Sequence, residues 1–180
     1  MALDKYMIGQ RYGTALFDLA AEQGTVDAVY ADVLALQKIF AQAPAIGAVL
    51  SNVTLATQRK QAILANLKQG ASPSVKNLLQ MVFDYGRMNQ MPFILSAFMH
   101  QYDLANGIVH AKVTSAVALS QQQQDTLAAQ LATRLGVKQI KIQNVVDASI
   151  VGGVIVEANN AIIDGSIRKK LEKMRQLLLN

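Results

Sequence analysis

The spacing of apolar residues changes at Gly107, and that change restricts the chain to two architectures joined end to end. Before Gly107 the apolar residues recur at three- and four-residue intervals, the period of a helix with one buried face. Ile8, Tyr12, Ala15 and Leu19 share a face of a first helix closed by Gly24, with Gly13 and Thr14, both poor helix formers, in its middle. Val26, Val29, Tyr30, Val33, Leu36 and Phe40 make a second. Pro44 starts a short third that runs through Leu50, and Thr54 or a neighbour caps a fourth carrying Leu55, Ile63, Leu64 and Leu67, ended by Gly70. Ser72-Pro73 opens a fifth, with Ser as cap and Pro at the first helical position, and Gly86 ends it. Phe93, Ile94, Phe98, Met99 and Tyr102 belong to a sixth, stopped by Asn106-Gly107. Six short helices with brief connections predict a compact bundle over residues 1–107.

After Gly107 the period is two. Val109, Ala111, Val113, Ser115 and Val117 alternate with His110, Lys112 and Thr114, as in a half-buried strand. Ser120 with Gln123 three residues on is a capping box, opening a helix with Leu127, Leu131 and Leu135 on one side and Gly136 at its end. Ile140, Ile142 and Val145 form the next strand, parallel to the first if the crossover is the usual right-handed one. Val151-Gly152-Gly153-Val154 begins a strand continuing through Ile155-Val156; Asn159-Asn160 is a turn pair, and Ala161-Ile162-Ile163 returns beside it. Asp164-Gly165-Ser166 supplies capping chemistry for a last helix whose face carries Ile167, Leu171, Met174 and Leu178. The fold class is therefore α followed by α/β: a six-helix bundle over 1–107 and a small α/β domain over 108–180.

Composition narrows the function. With 52% hydrophobic and 16% charged residues, 180 residues suffice for a packed core, so the chain is globular rather than disordered. The absence of cysteine removes disulfides and thiolate metal sites. No basic stretch followed by a long apolar run marks a signal peptide, and no window reaches the apolar length of a membrane span, so a soluble cytoplasmic chain is expected. The net charge of +5 is uneven: residues 1–107 contribute +1 and residues 108–180 contribute +4. Most of the excess sits in Arg168, Lys169, Lys170, Lys173 and Arg175. Such a cluster suits nucleic acid or a membrane surface, but no aromatic residue interleaves it, and cations toward a helix C-terminus also answer to the helix dipole.

Nothing in the sequence is arranged for catalysis. His100 and His110 lie on different elements without carboxylates at ligand spacing, there is no phosphate-binding glycine motif, and Asp147 and Glu157 are too far apart in pattern for an acid–base couple. Asp164-Gly165-Ser166 before Arg168 and Lys169 resembles a phosphate cradle, yet these residues equally satisfy the first N–H groups of their own helix. No cofactor or metal is expected. Helical geometry favours a binding surface instead. On the fifth helix Val75, Leu79, Val82 and Phe83 form one stripe and Leu78, Met81 and Tyr85 a second, together an apolar arc of about 200°. The first helix is similarly wide, since Leu16, Phe17 and Ala20 extend its stripe. Two over-wide helices predict a groove that accepts a third, amphipathic helix.

Four segments carry a resemblance. Ala148-x3-Gly152-Gly153-Val154-x-Val156 followed by Ile162-Ile163-Asp164-Gly165-Ser166-Ile167-Arg168 resembles the C-terminal signature of the delta subunit of F-type ATP synthases, the family of the mitochondrial oligomycin-sensitivity-conferring protein. Gln10 to Phe17 is similar to the family's first helix, Lys76-Asn77-Leu78-Leu79 through Gly86-Arg87-Met88 to its fifth, and Ser115 to Gln123 to the step opening its second domain. The resemblance spans nearly the whole chain. It implies a non-catalytic stator linking the catalytic head to the peripheral stalk of a proton-translocating rotary ATP synthase, one copy per complex. The bundle would receive the N-terminal helix of an alpha subunit, and the second domain the C-terminal end of the b subunit. The chain would then meet the membrane only through the complex, at its cytoplasmic face, and bind no nucleic acid. Position by position, the resemblance assigns Tyr12, Ala15, Leu78 and Met81 to the groove; helical geometry adds Leu16, Val82 and Tyr85. Gly153, Asp164, Gly165 and Ser166 match the signature as structural residues. The rival reading is a basic nucleic-acid-binding adaptor working through Arg168 to Arg175.

Overall fold

The computed structural model describes residues 2–52, 55–158 and 161–179, with side chains for 5–52, 55–158 and 161–176. Thr54 as a cap, Asn159-Asn160 as a turn and the side chain of Leu178 lie outside these residues. Two compact units emerge, one up to Tyr102 and the other from Asp103 onward. The division falls inside the sixth helix, ahead of the end of that helix. The contacts of Asp103 agree with it: one carboxylate oxygen lies 2.8 Å from His110 Nε2 and the other 4.0 Å from Lys141 Nζ, so the last turn of the helix belongs with the strands that follow.

The first unit is helical. Its elements are α1 (Ala2–Glu22), α2 (Val26–Gln42), α3 (Ala45–Ser51), α4 (Thr57–Lys68), α5 (Pro73–Asp84) and, after a short 3-10 turn at Met88–Gln90, α6 (Met91–Asn106). The core is made by the stripes the period indicates: Val29, Val33, Leu36 and Phe40 from α2, Val75, Leu79 and Val82 from α5, Ile94, Leu95 and Phe98 from α6. Leu55 precedes α4 instead of belonging to it. Ser72 occupies the cap position of α5 but its hydroxyl caps nothing; its backbone N–H instead donates to Asp32 of α2 at 2.7 Å, which ties the start of α5 to the bundle.

Gly13 does not interrupt α1. A Cβ at that position would lie 2.6 Å from Ala97 Cβ and 2.7 Å from the Ile94 carbonyl oxygen, so the glycine is what lets α6 approach α1 to backbone contact. The propensity cost of about 1 kcal/mol is offset by that packing. Phe17 and Phe98 meet edge to face beside the crossing, 5.9 Å between ring centroids.

The second unit contains β1 (Ile108–Ser115), α7 (Gln121–Leu135), β2 (Gln139–Val146), a 3-10 turn at Ala148–Ile150, β3 (Val154–Ala158), β4 (Ala161–Asp164) and α8 (Ile167–Leu179). The sheet order is β2-β1-β3-β4, with β1 parallel to β2 and the other two pairings antiparallel. Val113 stands at its centre, opposite Asn144 on one side and Val156 on the other. Leu127 and Leu131 of α7 pack against Ala111, Val113, Ile140 and Val156 on the covered face. The capping box of α7 forms in full, Ser120 Oγ accepting from Gln123 N and Gln123 Oε1 from Ser120 N, and Gly136 closes the helix in the left-handed conformation.

Two strand assignments need correction. Val117 lies beyond the end of β1 and is 71% exposed, because Ser115 Oγ turns back to donate to the Val117 carbonyl at 2.7 Å. Val151, Gly152 and Gly153 form a loop and not the start of β3. Gly153 has φ +77°, and a Cβ there would collide with the carbonyl oxygen of Gly165. The Gly152 carbonyl accepts from Ile167 N at 2.9 Å and the Val154 carbonyl from Gly165 N at 2.9 Å, so this loop clasps the start of α8.

Candidate functional site

A largely apolar groove of about 390 Å³ lies between α1 and α5 of the bundle. Ile8, Tyr12, Ala15 and Leu19 form its α1 wall at the i, i+4, i+7, i+11 spacing of one helical face, a stripe roughly 16 Å long. Ser74, Asn77, Leu78 and Met81 form the α5 wall. Leu16 and Leu78 are 4% and 5% exposed and make its floor, continuous with the core. Met81, by contrast, is 43% exposed on the rim. Such a trough, apolar along α1 and through Leu78 and Met81 of α5 and open to water, accommodates an amphipathic helix of about three turns.

The polar groups are unevenly placed. Ser74 Oγ donates to Gln23 Oε1 at 3.1 Å, which locates Ser74 beside the C-terminal end of α1. Arg87 donates from Nη1 to Tyr12 Oη at 3.2 Å, and its guanidinium lies 6.0 Å from the Tyr12 ring centroid and 5.7 Å from that of Tyr85. Arg87 is held there by the turn that ends α5: Gly86 has φ +64°, and Arg87 N donates to the Val82 carbonyl at 2.9 Å.

Of the residues assigned to the groove from the sequence, Tyr12, Ala15, Leu16, Leu78 and Met81 line it. Val82 does not; it is fully buried, because its stripe on α5 turns inward to the bundle core shared with α2. Tyr85 is exposed but off the groove, at the C-cap of α5 with its ring toward Arg87. Arg11, Ser74, Asn77 and Arg87 also line it and were not anticipated. Asn77 and Ser74 sit one turn ahead of Met81 and Leu78, a spacing that would have revealed them had polar residues been admitted to the stripe. Arg87 follows a helix-ending glycine, and no periodicity reaches past such a turn.

The signature residues of the second unit hold its own backbone. Asp164 Oδ1 accepts from Ser166 N at 2.9 Å, and Ser166 Oγ, fully buried, accepts from Lys169 N at 3.2 Å. The hydrogen bonds from Ser166, with the nearby charges of Lys169 and Arg168, lower the pKa of Asp164. Asp147 is lowered in the same way, chiefly by hydrogen bonds from Ser149 and then by Arg168. The N-terminus of α8 is thus capped by its own side chains. On α8 itself Ile167, Leu171 and Met174 are 42%, 55% and 59% exposed. His110 engages Asp103, and among the described residues no three His, Asp or Glu side chains gather where a metal could bind. Among those residues, too, no single helix is long and apolar enough to cross a membrane.

A helical bundle with an open helix-lined groove, followed by a small α/β unit, defines a docking protein. The chain belongs to the ATP synthase delta (OSCP) subunit family, whose pattern it matches over residues 8–178. It is 41% identical over 179 residues to ATP synthase subunit delta of Enterococcus faecalis, covering 99% of each chain. It is 42% identical over 180 residues to that of Lactiplantibacillus plantarum, covering 100% of this chain and 99% of the relative. Its fold recurs in the solved Toxoplasma gondii mitochondrial ATP synthase hexamer, with a TM-score of 0.70, 17% identity, and coverage of 96% of this chain and 97% of that one. The chain is a non-catalytic stator subunit of an ATP synthase, a membrane-associated complex. The assignment supports the stator reading over the nucleic-acid adaptor.

Proposed function

We propose that the groove between α1 and α5 receives the N-terminal helix of an alpha subunit, while the unit from Asp103 onward engages the C-terminal end of the b subunit. One copy of the chain then joins the catalytic head to the peripheral stalk at the cytoplasmic face of the membrane. The observation that carries this reading is the open trough itself, the apolar stripe of α1 beside Leu78 and Met81 of α5, with Met81 exposed on the rim. Rotation of the central shaft torques the head, and a tether resists torque through complementary surface and slow dissociation, without a reacting group.

The test is to mix the full chain with the catalytic head and measure co-elution and stoichiometry, then to repeat it with a fragment ending at residue 106. One copy per head, retained by the fragment, supports the division of labour. Loss of head binding by a fragment that still unfolds cooperatively refutes it.

A further inference from the structure

We infer that Arg87 selects a carboxylate on the helix that enters the groove, and so sets the direction in which that helix lies. The inference rests on the reading of the groove as a helix receptor and concerns what the receptor recognises. The groove is chemically polar along its length. Arg11 and Arg87 stand near Tyr12 at one end, Ser74 and Asn77 at the other, with apolar residues between. Among the described residues neither Asp nor Glu lines it. Among the described residues the ion pairs are made by His110, Lys112, Lys141 and Lys169, and neither groove arginine is paired with a carboxylate among them.

Arg87 is prepared for a partner. Its backbone is fixed by the turn at Gly86, its guanidinium rests against two tyrosine rings, and one N–H is committed to the phenol oxygen of Tyr12. Four of the five guanidinium N–H donors remain, in the planar fork that matches a carboxylate. Ordering a long cationic side chain on binding costs entropy, and here much of that ordering precedes binding. Arg87 is already half-buried. An incoming apolar helix removes more water from it, which is unfavourable unless a charge is supplied in exchange. The occupant that satisfies both ends is an amphipathic helix with a carboxylate at one end of its apolar stripe. The reversed orientation would set that carboxylate by Ser74 and Asn77 and leave Arg87 unpaired.

The probe is a synthetic peptide of the alpha-subunit N-terminus from the same ATP synthase, titrated into the full chain and into Arg87→Gln and Arg87→Lys. Peptides with each Asp or Glu changed singly to its amide form the second arm, which leaves the protein native even where an Arg87 variant fails to fold. The expected result is that Arg87→Gln and one particular amide peptide each weaken binding by about tenfold, with the combination no weaker than either alone. Raising salt should weaken the native pair and not the Arg87→Gln pair, and Arg87→Lys should fall between. If every amide peptide binds within about twofold of the parent, or the Arg87→Gln and peptide effects simply add, the inference is overturned while the receptor reading stands. An alpha-subunit peptide without a carboxylate that binds well overturns it too. No binding of any peptide to the folded native chain instead removes the receptor reading beneath it.

Discussion

Met81 and Val82 are adjacent in the chain, yet Met81 is 43% exposed on the groove rim while Val82 is fully buried in the bundle core. One step along α5 turns the side chain by about 100°, enough to carry it from solvent to interior. Lysine at these two positions should therefore have opposite consequences. Met81→Lys is expected to move stability by no more than about 0.5 kcal/mol, as surface substitutions do, and to weaken alpha-peptide binding tenfold or more, on the order of the cost of desolvating an unpaired ammonium. Val82→Lys should cost several kcal/mol, about 3–5, and unfold the bundle at ordinary temperature. Denaturant melts and peptide titrations of both variants check the pair; a collapsed Met81→Lys protein would place the groove on the wrong face.

Gly13→Val tests the contact between α1 and α6. Two backbone atoms, Ile94 O and Phe98 N, lie 2.7 and 2.8 Å from where its Cβ would sit, and neither can swing aside as a side chain would. The variant should lose about 2–4 kcal/mol even though valine outranks glycine as a helix former. A Gly13→Val protein with an unchanged urea midpoint would show that α6 does not approach α1 so closely.

Asn144 supports a different packing problem, the exit from β1. Its amide donates to the Val113 carbonyl at 3.0 Å and to Ser115 Oγ at 2.8 Å, and its carbonyl accepts from Leu119 N at 3.0 Å. Asn144→Ala removes all three and leaves the Leu119 N–H short of a partner. A loss of about 2–3 kcal/mol is expected in the second unit, with faster amide exchange at Leu119. Unchanged exchange at Leu119 would mean that water replaces Asn144 at little cost.

Acid should weaken the second unit through Asp164 and Asp147. Both carboxylates have folded-state pKa values below their unfolded ones, Asp164 by the hydrogen bonds from Ser166 and Asp147 by those from Ser149. Their contribution is therefore complete above the unfolded pKa, about 3.9, and is lost as pH falls through the lower folded values. Asp164→Asn keeps an acceptor for Ser166 N but cannot ionise. The stability gap between native chain and variant should be constant from pH 7 down to about pH 5 and close as the solution is acidified further. A gap that stays open at low pH would assign it to geometry and not to charge.

Much of this molecule follows from short-range rules, and those parts are legible in the residues themselves. Helical and strand periods, the Ser120–Gln123 capping box, the closing glycines and the parallel β1–β2 crossover are set by neighbours within a few positions, or by chain handedness. The two over-wide helices that frame the groove are visible for the same reason. What escaped is long-range. The hydroxyl of Ser72 has the right position to cap α5, but the N–H of that residue is taken by Asp32, forty residues away. Gly13 reads locally as a weakness and becomes a point of contact only when α6 crosses it. Arg87, past the end of a helix, enters the groove through Tyr12, seventy-five positions distant. Tertiary structure alone decided which of the two apolar stripes on α5 went inward, because a stripe is buried by the surface that meets it. A helix carries the stripes in its own sequence, but the surface that covers one of them is contributed by other segments of the chain.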